Sequence, residues 1–276
     1  MRPSKYRLVA LDLDGTLLDS SLRIRRQNVD ALRRVGEEGV RAMIVTGRHH
    51  TAVQAYWWEL GLDLPAICCN GGYVYDFRAG RALAGDPFTR AEAREVLGLI
   101  RAHPVDAMLY TDEAMTYENE MPHLAATRQW AATLPEPVRP RLTRVASLDR
   151  VIDEAGILWK FLVASEDPAS LEAFARAAGA HGFEGVRSSR TRVDVARAGN
   201  SKGRRLAELL ARWDIPLGAV IAFGDQDNDK DMLELAGLGV AMGNSRPDVC
   251  ACADWVTGTN DSDAIADVLL RFVLTA

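Results

Sequence analysis

Four short apolar runs in this 276-residue chain each break off into a polar cluster, and that repeated ending constrains the fold more than any single residue. Tyr6–Leu11 runs into Asp12-Leu13-Asp14-Gly15-Thr16, and Val40–Val45 into Thr46-Gly47-Arg48. Ala66–Cys69 runs into Asn70-Gly71-Gly72, and Ala219–Phe223 into Gly224-Asp225-Gln226-Asp227-Asn228-Asp229. Stretches with helical spacing lie between them: Val29, Leu32 and Val35 within Arg25–Glu38, a segment from His50 to Leu60, and Lys202–Trp213. Short apolar strands alternating with helices predict a parallel α/β sheet. Ligands of such a sheet gather beyond the carboxyl ends of its strands, so the four polar clusters become candidates for one pocket.

The alternation stops between Tyr73 and about Val193. Tyr73–Asp76 followed by Arg78-Ala79-Gly80 reads as a hairpin edge, Arg90–His103 as a helix and Val105–Tyr110 as a strand. Pro135, Pro137 and Pro140 interrupt any long element, after which Trp159–Val163, Ala169–Ala178 and Thr191–Val195 read as strand, helix and strand. Alternation then resumes through Lys230–Ala236 and Gly239–Met242 to a closing helix over Ser262–Phe272. The expected fold class is therefore α/β, a Rossmann-like parallel-sheet core with an inserted α+β domain. The expected division is 1–84 for the first part of the core, 85–190 for the insertion and 191–276 for the second part of the core.

Composition narrows the function. The formal net charge of -5 gives no general attraction to nucleic acid or an anionic membrane. No apolar stretch approaches the roughly 20 residues that span a bilayer, and the Met1-Arg2-Pro3-Ser4 start carries no signal-like hydrophobic segment. A cytoplasmic protein without nucleic-acid or membrane partners is the expectation. Cys68, Cys69, Cys250 and Cys252 are too closely spaced for a disulfide framework or a Cys-x2-Cys metal hook, so reduced structural thiols are expected.

The acids carry the chemistry. Asp12 and Asp14 leave the first strand two positions apart, and Asp225, Asp227, Asp229 and Asp231 form a dense acidic loop expected to face them. Like charges gathered in one cleft are costly unless protons or a cation offset them, and oxygen-only donors favour Mg2+. Lys202 opens a helix after Asn200-Ser201, where its ammonium and the helix N–H groups suit an anion, and Thr46 offers a hydroxyl at its own strand exit. Asn200-Ser201-Lys202-Gly203 lacks the order of a nucleotide-binding P-loop, and Gly237-Leu238-Gly239 precedes a strand where a dinucleotide fingerprint would follow one. The five histidines show no metal-binding spacing; His49 and His50 lie close in sequence to the second cluster.

Asp12-Leu13-Asp14-Gly15-Thr16-Leu17, Thr46-Gly47-Arg48, Ser201-Lys202-Gly203 and Gly224–Asp229 together resemble the four motifs of the haloacid dehalogenase-like hydrolases. The insertion, Asn70-Gly71 and Ala241-Met242-Gly243-Asn244 resemble more specifically the Cof-type phosphatases with a large α/β cap. The resemblance implies hydrolysis of small-molecule phosphomonoesters, a sugar phosphate or a phosphorylated cofactor, through an aspartyl phosphate. It implies Asp12 as the nucleophile and Asp14 as the acid that protonates the leaving oxygen and then activates water. Mg2+ would be held by Asp12, the backbone carbonyl of Asp14 and Asp225, with Asp229 in support. Thr46, Gly47, Lys202 and Asn228 would hold the phosphate, and Thr16 would brace the turn at Gly15. The cap would contact the substrate, with Arg187, Arg190, Arg192, Tyr110, Asp112, Tyr117 and Glu118 open between that role and a solvated surface. Trp57 and Trp58 are expected to pack. A phosphomutase or phosphotransferase using the same intermediate is the alternative reading, and a non-catalytic phosphate-ligand binding protein a third; the oligomeric state is not specified by the sequence.

Overall fold

A computed structural model describes residues 4–274 of the chain. It divides into two compact units, one formed by Met1–Arg48, Tyr56–Leu83 and Ser201–Ala276, the other by His49–Ala55 and Ala84–Asn200.

The first unit is built on a five-stranded parallel sheet in the order Trp255–Val256, Leu238–Ala241, Val220–Gly224, Leu8–Leu11, Arg41–Ile44. Leu8–Leu11 is paired on both sides: Leu11 lies level with Phe223 on one side and Ile44 on the other, so the three polar clusters leave the sheet at the same height. Every residue of Leu8–Leu11, Val220–Gly224 and Leu238–Ala241 is buried. Burial on both faces explains why these strands read as unbroken apolar runs without alternation. Helices Arg26–Glu37 and Ala264–Leu269 pack together; buried Asn28 accepts a 3.0 Å hydrogen bond from the Ala266 N–H, and Arg25 pairs with Asp263 at 2.7 Å. Val45 bridges Ile67 in parallel, which brings Ala66–Cys68 beside the sheet; that strand also pairs with Tyr73–Asp76 in a smaller three-stranded sheet.

The second unit is a six-stranded sheet in the order Phe183–Ser189, Arg192–Arg197, Leu158–Ala164, Asp106–Thr111, Met115–Tyr117, Leu142–Arg144. Its pairings are antiparallel except the last. Val96 and Ile100 from helix Arg90–Arg101, and Leu171 and Phe174 from helix Pro168–Ala180, share a core with Leu109, Phe161, Val163, Val193 and Val195 of the sheet. Each helix starts on a side-chain cap: Thr89 and Glu92 form a capping box, and Asp167 accepts from the N–H groups of Ala169 and Ser170.

The units differ from the expected division in two places: His49–Ala55, expected in the core, groups with the second unit, and the second unit runs further toward the C-terminus. Arg192–Arg197 pairs with Phe183–Ser189 and with Leu158–Ala164, so its strand belongs to the second unit, which extends to Asn200 beyond the expected limit at 190. The structure also contains a helix over Pro122–Ala132 that the apolar pattern did not signal; Leu124 and Ala131 are its only buried residues. At the other end, the closing helix is shorter than expected, Ala264–Leu269, and continues as a π-type turn over Leu270–Leu274.

Candidate active site

Asp12 follows directly on strand Leu8–Leu11, its N–H still bonded to the Phe223 carbonyl at 3.1 Å, so the sheet itself fixes its backbone. Its carboxylate is buried and receives a 2.6 Å hydrogen bond from the Lys202 ammonium. Lys202 is the first residue of helix Lys202–Arg212, whose start is capped by the Ser201 hydroxyl accepting from the Arg204 N–H at 3.2 Å. The same ammonium donates a second 2.6 Å bond to Asp229, which leaves one of its three N–H donors for another oxygen. Burial works against the charge on Lys202, but the Asp12 and Asp229 carboxylates outweigh it and hold the ammonium above its ordinary pKa.

Asp229 closes the acidic loop. Its other oxygen accepts from the N–H groups of Asp225 at 3.0 Å and Gln226 at 3.1 Å, so one side chain fixes both the loop backbone and the lysine. Asp225 accepts from the Thr16 hydroxyl at 2.9 Å and from the Gln226 amide at 2.9 Å, tying the first motif to the fourth. Thr16 therefore braces this corner, with Gly15 beside it at φ +80. The rest of the acidic run turns elsewhere. Asp227 pairs with Lys230 and Arg246, and Asp231 accepts from the Gly203 N–H at 2.9 Å, anchoring the start of the Lys202 helix. Of the four loop acids, Asp225 and Asp229 join Asp12.

Asp14 is placed differently from Asp12. Its carboxylate is half exposed and held in a fork by Arg48, Nε at 2.7 Å from one oxygen and Nη2 at 2.6 Å from the other. Thr46 is buried, and its hydroxyl accepts from the Arg48 N–H at 3.2 Å. Behind it, Cys69, Asn70 and Gly71 take three successive positive φ values, a sparsely populated conformation that surrounding contacts must hold. Those contacts are the Cys69 N–H on the Arg48 carbonyl, the Asn70 N–H on the Thr46 carbonyl, the Arg205 Nε on the Gly71 carbonyl, and the Asn228 amide on Asn70 Oδ1 at 2.9 Å. Gly71 permits no side chain, since a Cβ there would lie 2.1 Å from the Ser201 carbonyl oxygen. Thr46, Gly47, Asn228 and the start of the Lys202 helix are thus locked into one frame.

A haloacid dehalogenase-like hydrolase family model matches residues 9–269. This chain belongs to that family. The hydrolase is 41% identical to the pyridoxal phosphate phosphatase YbhA of Escherichia coli, over 97% of this chain and 99% of that one. It is 31% identical to the phosphatase YwpJ of Bacillus subtilis, over 95% and 98% of the two chains. Among solved structures, a haloacid dehalogenase-like hydrolase from Bacillus subtilis superimposes with a TM-score of 0.83 at 29% identity, over 95% and 98% of the two chains. Kinship and site agree on a phosphatase.

The donor set of the hydrolase fits a hard divalent cation. Asp12, Asp225 and Asp229 bring carboxylate oxygens within 4.8 Å of one another, all three buried. Three carboxylates against the single Lys202 ammonium leave two formal negative charges, the charge one divalent ion cancels. Burial and the crowding of carboxylates both favour the protonated acids. Burial holds the Asp12 carboxyl well above its ordinary pKa despite Lys202, with Asp229, Asp225 and Asp14 adding to the rise. Burial, then Asp229, pushes Asp225 up to about 6. The Asp14 side chain lies outside this trio and is engaged by Arg48.

Two residues of the hydrolase's site were not singled out in the sequence: Arg48, which grips Asp14, and Asn70, which receives Asn228. The Thr46-Gly47-Arg48 and Asn70-Gly71 clusters contained the signal, but sequence position alone does not reveal which side chain a loop residue meets. In the second unit, His49 and His50 are buried and carry no metal-like grouping with other donors among the described residues. His49 bonds the Thr111 carbonyl at 2.7 Å through Nε2. Tyr117 receives a bond from Arg128, Glu118 accepts from the Leu148 N–H at 2.6 Å, and Arg187 donates to the Arg190 carbonyl at 3.0 Å, each a contact within the unit. Trp57 packs as expected, with its indole N–H on the Leu64 carbonyl at 2.7 Å, whereas Trp58 is 62% exposed. No helix among the described residues is long and apolar enough to cross a membrane.

Proposed function

We propose that this hydrolase is a Mg2+-dependent phosphatase of phosphorylated small molecules, with pyridoxal phosphate the first substrate to test. The observation that carries the reading is the buried Asp12–Lys202–Asp229 chain beside Asp225, with Asp14 held separately on Arg48. The two acids that leave the first strand have different surroundings and so suit different tasks. Asp12, buried and fixed by the sheet, is the nucleophile; Asp14, half exposed and held on Arg48, is the acid and base.

In the first half-reaction an Asp12 oxygen bonds to phosphorus as the ester oxygen leaves, and that oxygen takes a proton from the Asp14 carboxyl. In the second half, Asp14 as carboxylate removes a proton from water, whose oxygen bonds to phosphorus and frees Asp12. Lys202, with one N–H to spare, the Thr46 hydroxyl, the Gly47 backbone and the Asn228 amide receive the phosphoryl oxygens, preorganised by the Asn70 frame. Asp12, the Asp14 carbonyl and Asp225 would hold Mg2+, with Asp229 in support. When bound, the ion supplies positive charge against the phosphoryl oxygens and restores charge balance among the buried acids.

The substrate choice rests on the 41% identity to a pyridoxal phosphate phosphatase, and it narrows the class of phosphorylated cofactors expected from the sequence. A cytoplasmic setting belongs to the same reading, the close spacing of the cysteines suiting reduced structural thiols better than a disulfide framework. Phosphate release from a panel of phosphomonoesters, with and without Mg2+, tests both parts. Mg2+-dependent release with pyridoxal phosphate among the highest kcat/KM values is expected. Absence of release from every ester with Mg2+ overturns the activity, and a pyridoxal phosphate value no higher than the panel median overturns the substrate.

A further inference from the structure

The fork between Arg48 and Asp14 does not resemble an ordinary surface ion pair. Exposed pairs contribute little because two long side chains must be ordered in water. Here the Arg48 side chain is only 15% exposed, while its carboxylate partner is 54% exposed. The arginine is therefore the fixed member. Its backbone is held from both sides, the N–H on the Thr46 hydroxyl and the carbonyl accepting from the Cys69 N–H at 3.1 Å. Its guanidinium lies over the Tyr56 ring at 5.3 Å, and Tyr56 is itself buried and anchored by its hydroxyl on the Leu22 carbonyl at 3.0 Å. A planar guanidinium held in this way presents two parallel N–H groups in one direction, and a carboxylate that accepts both has its plane and rotamer set.

From this geometry we propose that Arg48 is a positioning residue for Asp14, aiming the carboxyl along the path to the leaving oxygen. The inference rests on the reading of Asp14 as the acid. One loop would then perform two linked tasks: Thr46 receives the phosphoryl group and Arg48, two residues on, aims the proton donor at the ester oxygen of that same group. In the step concerned, the bond between phosphorus and the ester oxygen breaks with its electron pair passing to oxygen, the Asp14 proton moves to that oxygen, and the new bond forms from Asp12 to phosphorus. A well-aimed acid matters most where the departing alkoxide is strongly basic, and least where it is stable without a proton. That contrast separates aiming from a general structural role.

The experiment compares kcat/KM, which reports the steps up to departure of the alcohol, for p-nitrophenyl phosphate and for an alkyl ester such as glycerol phosphate. Wild type, Arg48→Lys, Arg48→Gln and Asp14→Asn are measured with Mg2+. Arg48→Gln and Arg48→Lys are expected to lose about tenfold or more on the alkyl ester beyond their loss on the nitrophenyl ester, as misplacement of a group that contributes about 100-fold or more should. Lysine retains the charge but not the fork, so it is expected not to restore the wild-type ratio. Equal losses on the two esters, or a wild-type ratio in Arg48→Lys, overturn the inference, and Arg48→Lys decides alone if Arg48→Gln does not fold. Asp14→Asn keeps the failures distinct: if its losses are the same on both esters, the assignment of Asp14 as the acid fails, whatever the Arg48 variants show.

Discussion

The Lys202 ammonium donates 2.6 Å hydrogen bonds to both Asp12 and Asp229, and all three side chains are buried. The lysine arrives from a helix start 190 residues beyond Asp12 in sequence, so the contact depends on the parallel sheet bringing distant loops to one edge. It also makes Lys202 a structural member of the site before any substrate arrives.

Replacing Lys202 by methionine removes the positive partner and leaves two buried carboxylates facing each other and Asp225. The expected cost is about 3–5 kcal/mol of folding stability in metal-free protein. The cost should shrink on acidification, because the carboxylates can then be neutralised by protons. Urea denaturation at several pH values checks this; a Lys202→Met protein as stable as wild type at neutral pH would contradict the buried pairing.

Asp225 gives a pH window. Its pKa is raised from 3.8 to about 6, so the folded metal-free protein binds a proton more tightly than the unfolded chain does. By linkage, this group's contribution to stability falls as pH rises from about 4 to about 6 and is level above that. Divalent-ion binding must displace the proton, so Mg2+ affinity should weaken below about pH 6. Isothermal titration between about pH 5 and about pH 8 should show that weakening. Affinity that is flat across the range would contradict the placement of Asp225 among the ligands.

Gly15 tests the join between the first and fourth motifs. Its φ is +80, and a Cβ there would lie 2.3 Å from an Asp225 oxygen. Gly15→Ala is expected to cost about 1–3 kcal/mol of stability and to weaken Mg2+ binding, since Asp225 must move to make room. Chemical denaturation and metal titration measure the two effects. Unchanged metal affinity would mean that the Asp225 oxygen is free to shift without consequence.

The central sheet and the acids at its exits were legible in the sequence because buried parallel strands are short apolar runs that stop where the polar loops start. Asp12 and Asp225 could be singled out for the same reason, and Lys202 because it opens a helix. Spacing did not show which acids face inward, and only the family resemblance named Asp229: Asp229 and Asp231 sit two positions apart, yet one bonds Lys202 and the other caps its helix through Gly203. Arg48 was visible as part of a motif, but its grip on Asp14 depends on the Tyr56 ring and the left-handed turn at Cys69–Gly71, neither of which composition or spacing encodes. In the second unit, helix Pro122–Ala132 buries too few apolar side chains to leave a periodic trace. The strand Arg192–Arg197 was legible as a strand, and only its antiparallel partners place it with the insertion.

The claim that Asp12 is the nucleophile is tested most directly by rapid acid quenching of the enzyme during turnover of a radiolabelled phosphomonoester, followed by peptide mapping. The account predicts phosphate covalently held on the peptide that contains Asp12. It also predicts no such label in Asp12→Asn, together with a loss of turnover of about a thousandfold or more. Label on another residue, or wild-type turnover by Asp12→Asn, would contradict it.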